Sequence, residues 1–80
     1  MWNTLLGDEY MGLKNRLRQI RHSMCIDKQI TMANMLNLTQ PQYNRYEKNQ
    51  IQPSFEMGIK IAKKLGMSVE EIFYIDETGE

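Results

Sequence analysis

Ile30-Thr-Met-Ala-Asn-Met-Leu-Asn-Leu-Thr-Gln-Pro-Gln-Tyr-Asn-Arg-Tyr-Glu47 reads as two short helices joined by a tight turn. Ala33 suits a close helix crossing, because a larger side chain would hold the two backbones apart. Asn37 ends the first helix, since Asn tolerates the left-handed conformation that a helix C-terminus usually needs. Thr39 caps the second helix, and Gln42 three residues later completes a Thr-x-x-Gln capping box. Pro41 falls inside the first turn, where a missing N–H costs little. Tyr43 and Tyr46 share the inward face of this second helix, while Gln40, Asn44 and Arg45 point elsewhere.

Gln, Asn and Arg on the N-terminal half of a helix are the side chains that pair with adenine and guanine edges. Gln40 is the best candidate for a base-reading residue, being in the first turn and not needed by the fold. Gln42 either reads a base or is held by its capping box. Asn44 and Arg45 stay exposed under any helical register that buries Tyr43 and Tyr46. Beyond Lys48, the polar loop Asn49, Gln50 and Gln52 offers backbone N–H groups to phosphate.

The remaining elements follow from hydrophobic spacing. Leu13, Leu17, Ile20 and Met24 form a stripe at helical intervals, predicting a first helix over 12–23; Leu6 and Tyr10 continue the stripe backwards, so the extension 1–11 is either flexible or lengthens this helix. Gly12 interrupts that stripe at a cost of about 1 kcal/mol relative to Ala. Trp2 is expected to be loose, His22 to be an ordinary surface residue and Cys25 to act as a small hydrophobe in a linker. A second helix spans 28–36, capped by Asp27 or Lys28, and the third spans 40–48. A fourth over 55–65 offers Phe55, Ile59, Ala62 and Leu65 to the core, with Gly58 marking close packing and Gly66 its end. Ser68 and Glu71 form another capping box and start a short fifth helix that turns Val69, Ile72 and Phe73 inward. The methionines Met24, Met32, Met35, Met57 and Met67 fall at helical spacings and are expected to fill core gaps. The predicted class is all-α with five helices and no substantial sheet. Its core holds Leu17, Ile20, Ala33, Leu36, Tyr43, Ile59, Ala62 and Ile72.

Eighty residues make one small domain, divided into an extension (1–11), a helical body (12–75) and an acidic tail (76–80). The formal net charge of zero conceals a segregation of sign. Residues 11–68 carry all ten Lys and Arg but only Asp27, Glu47 and Glu56, a net +7, enough to seek phosphate. The same block also fits solvated helix faces. A single cysteine excludes an internal disulfide and fits a reducing cytoplasm. No secretory leader is evident, and no apolar run approaches the roughly 20 residues of a membrane span. Catalysis finds no support: there is no His/Cys cluster for a metal, no Gly-rich phosphate loop and no nucleophile beside a base. No cofactor and no small-molecule ligand are expected.

The hydroxyl-capped helix ending in Arg45-Tyr46-Glu47 resembles the recognition segment of the Cro/C1-type (Xre family) helix-turn-helix regulators. Leu36-Asn-Leu-Thr-Gln-Pro-Gln-Tyr-Asn-Arg-Tyr-Glu-Lys-Asn49 carries that likeness. Pro53-Ser-Phe-Glu-Met-Gly-Ile-Lys-Ile-Ala-Lys-Lys-Leu-Gly66 is similar to the family's fourth helix, and Ser68-Val-Glu-Glu-Ile-Phe73 to its fifth, so the resemblance covers roughly 13–73. Met11 stands just before this stretch and is a candidate original start. The resemblance implies a lambda-repressor-like domain of bacterial or phage origin. It implies that Arg21 pairs with Glu47, the alternative being two separate exposed charges. It also puts a phosphate-contacting glutamine at the start of helix 2. Counting back from Ala33 this is Gln29; counting forward from Arg21 it is Lys28. The sequence departs from the family by one extra residue between Met24 and Gln29. Pro41 replaces a position that many relatives use for a polar contact, so fewer bases are read there or a thymine methyl is touched.

Two readings of function follow. The first is a sequence-specific regulator of transcription, a repressor by family likeness, binding a palindromic duplex site as a cytoplasmic homodimer. Gln40, Gln42, Asn44 and Arg45 would read bases, Arg16, Lys28, Gln29, Lys48 and Asn49 would hold phosphates, and Phe73, Tyr74 and Ile75 would form the dimer contact. The second is a protein-interaction module on the same fold, of antitoxin or anti-repressor type. An apolar patch in place of the polar face Gln40-Asn44-Arg45 would favour it.

Overall fold

Residues 12–77 are described by the computed structural model; the expectations for 1–11, including Trp2, and for 78–80 lie outside the described residues. The order is β1 (Leu13–Asn15), α1 (Leu17–Ser23), α2 (Gln29–Met35), α3 (Gln40–Glu47), α4 (Phe55–Leu65), α5 (Val69–Ile72) and β2 (Phe73–Ile75). Thr39, Ser54 and Ser68 cap α3, α4 and α5, each accepting a hydrogen bond from the backbone N–H three residues on. Only Ser68 has the reciprocal bond, from its own N–H to the Glu71 carboxylate. Gln42 does not close its box; its amide donates to the Tyr46 hydroxyl instead.

The first four helices end in one way. A residue in the left-handed region follows each, and the next N–H reaches back five residues to a carbonyl, satisfying an acceptor the helix would otherwise leave open. Cys25 (φ 59°), Asn37 (φ 60°), Asn49 (φ 60°) and Gly66 (φ 68°) hold these positions. The closing bonds run from Ile26 to Arg21, Leu38 to Ala33, Gln50 to Arg45 and Met67 to Ala62, at 2.9–3.1 Å.

The domain is not strictly all-α, and the first helix is shorter than its apolar spacing predicts. β1 and β2 form a two-stranded antiparallel sheet in which Leu13, Lys14 and Asn15 face Ile75, Tyr74 and Phe73. Bonds from Arg16 N–H to the Ile72 carbonyl and from Asp76 N–H to the Gly12 carbonyl continue the ladder at both ends. Asn15 stops any backward extension of α1. Its Oδ1 accepts from Leu17 N–H, an arrangement that competes with helix, and its side chain is committed to the end of α3. Gly12 is needed for closeness: a Cβ there would stand 3.0 Å from the Asp76 carbonyl oxygen.

The core joins Leu17 and Ile20 of α1, Met32 and Ala33 of α2, Tyr43 and Tyr46 of α3, Ile61 and Ala62 of α4 and Ile72 of α5, with Leu36 and Leu38 from the turn. Ala33 is fully buried. In α4 the inward register differs from the one expected. Gly58, Ile61 and Ala62 are buried, Ile59 and Leu65 are half-buried, and Phe55 is 80 % exposed. The reason lies in α5 and β2, whose Phe73 ring lies against the side-chain-free surface of Gly58. Met32 fills the core and Met57 and Met67 border it, but Met24 and Met35 face solvent, as do His22 and Cys25.

Candidate nucleic-acid interface

The site grows from a buried ion pair. Arg21 and Glu47 meet through two bonds, Nε to Oε2 at 2.7 Å and Nη2 to Oε1 at 3.2 Å, the planar fork that Arg forms with carboxylates. Arg21 Nη1 also donates to the carbonyls of Ile26 and Asp27, so the α1–α2 linker is fastened to the same group. Tyr43 donates its hydroxyl to Glu47 Oε2 at 2.6 Å. α1, α2 and α3 are thereby tied at one point, and losing one partner would leave a buried charge uncompensated, at a cost of about 3–5 kcal/mol.

These contacts set the protonation states. Burial pushes the Glu47 carboxyl up, but the hydrogen bonds from Arg21, Tyr43 and Gln29 outweigh it and bring the pKa down to about 2. The bond to Glu47 raises Arg21 above its ordinary value despite the opposing effect of burial. Burial, followed by the bond to Glu47, pushes the Tyr43 hydroxyl up. At neutral pH Glu47 is a carboxylate, an acceptor only.

From this pair the polar contacts run to the surface. Gln29, first residue of α2, donates from Nε2 to Glu47 Oε1 at 2.7 Å. Gln40, first residue of α3, donates from Nε2 to Gln29 Oε1 at 2.8 Å. Lys28 is the exposed N-cap of α2, with no side-chain cap bond, and Gln29 is the first residue of the helix. A cleft of about 240 Å³ lined by Arg18, Arg21, Gln29, Glu47 and Lys48 opens beside the ion pair. Arg18 and Lys48 are exposed cations on its rim.

The other expected site residues divide. Pro41, Arg45 and Lys48 are exposed along one face of α3, with Gln40, Gln42 and Asn44 half-buried beside them. Asn49 is engaged differently from expectation. Its N–H donates to Tyr46 and that of Gln50 to Arg45, while Asn49 Oδ1 accepts from the N–H of Asn15 and from Gln52. Arg16 also stands apart: its guanidinium lies 4.2 Å over the Tyr74 ring, and it lines a different groove with Gln19, Glu70 and Glu71. Asn15, which the sequence reading passed over, is 4 % exposed and donates to the Tyr46 carbonyl and to Gln52 Oε1, both at 2.8 Å. Nothing in its spacing marks it, because its partners come from the far end of α3.

A helix-turn-helix family model matches residues 17–72, from the first residue of α1 to the last of α5. The chain belongs to the Cro/C1-type helix-turn-helix family. No individual curated protein and no solved structure matches it with significance. Cro/C1-type membership makes the chain a DNA-binding regulator of transcription, from a family that is generally non-enzymatic. In helix-turn-helix terms α2 and α3 are the motif, Asn37 is its turn, and α3 is the recognition helix. Among the described residues no helix is long and apolar enough to cross a membrane.

Proposed function

We propose that this regulator is a repressor that sets α3 into the major groove of a palindromic operator and binds there as a homodimer. Gln40 reads a base edge, assisted by Gln42, Asn44 and Arg45, while Lys28, Gln29, Lys48 and Arg18 hold the phosphates on either side. The observation that carries this reading is the joining of Gln29 to Gln40 at 2.8 Å. It brings the start of α2, suited to a phosphate, against the start of α3, suited to a base. The dimer contact lies on β2 and the apolar cleft beside it. Phe55, 80 % exposed, lines that cleft with Leu13, Gly58 and Phe73, and Ile75, the strand partner of Leu13, is 55 % exposed. Phe73 and Tyr74 are half-buried within the protomer and contribute only their outer edges. The regulator works in the cytoplasm of a bacterium or an infected host. The protein-interaction alternative is disfavoured because this apolar surface includes no residue of α3.

A salt titration on the operator and on scrambled duplexes tests the division of labour. Gln40→Ala is expected to weaken operator binding by about 1–3 kcal/mol and leave scrambled duplexes nearly untouched. Replacing Lys28 is expected to weaken both and flatten the plot of log affinity against log salt by roughly one unit. Equal losses for Gln40→Ala on both duplexes make it a backbone contact, and binding of no duplex better than micromolar at low salt refutes the repressor reading.

A further inference from the structure

We propose that Gln52 is a positioning residue for DNA binding: seated with Asn49 on the outer edge of β1, it holds the α3–α4 loop so that the backbone N–H groups of Ile51 and Gln52 meet phosphate. This rests on α3 entering the major groove. The strand that provides the seat lies outside residues 17–72, the span matched by the family model.

In the β1–β2 ladder Gly12 and Arg16 bond across to Asp76 and Ile72, with Lys14 opposite Tyr74 between them. Hydrogen-bonded and non-bonded pairs alternate along antiparallel strands, so the Leu13 carbonyl and the Asn15 N–H turn away from β2. Asn15 N–H donates to Asn49 Oδ1 at 2.9 Å, and Gln52 Nε2 donates to the Leu13 carbonyl at 3.3 Å. Two side chains of the α3–α4 loop thus cover the edge that a third strand would cover. They are also joined to each other and to a third amide. Gln52 Nε2 donates to Asn49 Oδ1 at 2.8 Å, and Gln52 Oε1 accepts from Asn15 Nδ2 at 2.8 Å. Both ends of the Gln52 amide are engaged, which fixes its orientation.

The consequence falls on the backbone between these side chains. The N–H groups of Asn49 and Gln50 close α3. Those of Ile51 and Gln52 have no acceptor among the described residues, and Ile51 is exposed. They come just after the exposed Lys48, where a chain leaving a groove-bound helix passes the phosphates that line the groove. A loose loop would lose conformational freedom on meeting a phosphate, whereas a loop already seated binds without that cost. Pro53 adds to the effect by disfavouring helical backbone at Gln52. The salt dependence of DNA binding follows the phosphates neutralised by Lys and Arg. Neutral N–H donors therefore add affinity without steepening it.

The test compares the 80-residue chain with Gln52→Ala and Asn49→Gly. Binding to a mixed-sequence duplex is followed by fluorescence anisotropy over a range of salt, at a temperature where circular dichroism shows each chain fully folded. Asn49→Gly suits the left-handed position and removes only the side-chain acceptor, so it carries the test should Gln52→Ala fail to fold. Each variant is expected to bind about tenfold more weakly at every salt concentration, with the slope of log affinity against log salt unchanged. Amide NMR gives a readout that a role in stability alone would not move. Adding duplex is expected to shift the Ile51 and Gln52 N–H signals of the wild-type chain, and to shift that of Ile51 much less in both variants. If the folded variants bind as tightly as wild type, or the two signals stay in place in the wild-type complex, the proposal is overturned while the placing of α3 in the groove stands. A flattened salt slope would assign the loss to a cation such as Lys48 and overturn it as well. If the wild-type chain binds no duplex and no α3 signal moves, the groove reading and this proposal fall together.

Discussion

Asn15 Nδ2 donates to the carbonyl oxygen of Tyr46 at 2.8 Å, joining the strand before α1 to the last turn of the recognition helix. The same side chain accepts from Leu17 N–H and donates to Gln52, so a single amide serves the start of α1, the end of α3 and the loop beyond. Asn15→Ala strips partners from three polar groups around a buried position, and a lost buried partner costs about 1–3 kcal/mol. Chemical denaturation is expected to show a loss of about 2–4 kcal/mol, since water repairs part of the damage. A change under 1 kcal/mol would show that α3 does not depend on this tie.

The Glu47 carboxyl makes stability depend on acid. Its folded pKa of about 2 lies below the ordinary value of about 4.3. A depressed carboxyl contributes stability that is present above the unfolded pKa and lost as pH falls through the folded one. Urea unfolding between pH 6 and pH 2 is therefore expected to show a loss on the order of 2–4 kcal/mol, mostly below about pH 4.5. Glu47→Gln should remove most of that slope. Tyr43 has the opposite sign: its raised pKa contributes stability that is present below about pH 10 and lost in stronger alkali.

Among the described residues, three non-glycine residues lie in the left-handed region, and Cys25 is the one without the local hydrogen-bonding ability that lets Asn visit it. Cys25→Gly is expected to raise stability by about 0.5–1 kcal/mol, whereas Asn37→Gly should be close to neutral. Thermal unfolding of both variants compares them directly. No gain from Cys25→Gly would mean the exposed thiol side chain offsets its backbone cost.

The proposed dimer has a surface that can be altered without touching the core. Ile75 is exposed and lies in β2 beside the apolar cleft. Sedimentation equilibrium is expected to find a dimer at high micromolar concentration, converted to monomer by Ile75→Asp with little change in helical signal. A wild-type monomer at that concentration would exclude this contact.

The helix-turn-helix was legible because its signals are local. Asn37, Thr39 and Pro41 act on their own neighbours, and each lies where the spacing set it. The Arg21–Glu47 pair came from family resemblance, since residues so far apart in the chain carry no spacing signal. The sheet was illegible for a related reason. Leu13 continues a helical stripe, and only Phe73–Ile75 at the other end of the domain offers it a strand partner. In α4 the apolar residues permit two inward stripes, and packing of Phe73 against Gly58 selects the one through Ile61. Asn49, expected to offer its N–H outward, instead closes α3.

The pairing of β1 with β2 also governs the order in which the chain can be finished. Everything from Leu17 to Leu65 can form through contacts between elements close in sequence, the kind made quickly. The strand carrying Asn15 has no strand partner until Ile75 has been synthesised, and pairing Leu13 with Ile75 closes a far longer loop than the tie between Asn15 and Tyr46 does. On the ribosome the recognition helix is therefore built well before it is locked. A chain truncated before residue 73 would keep its helices and lose the latch.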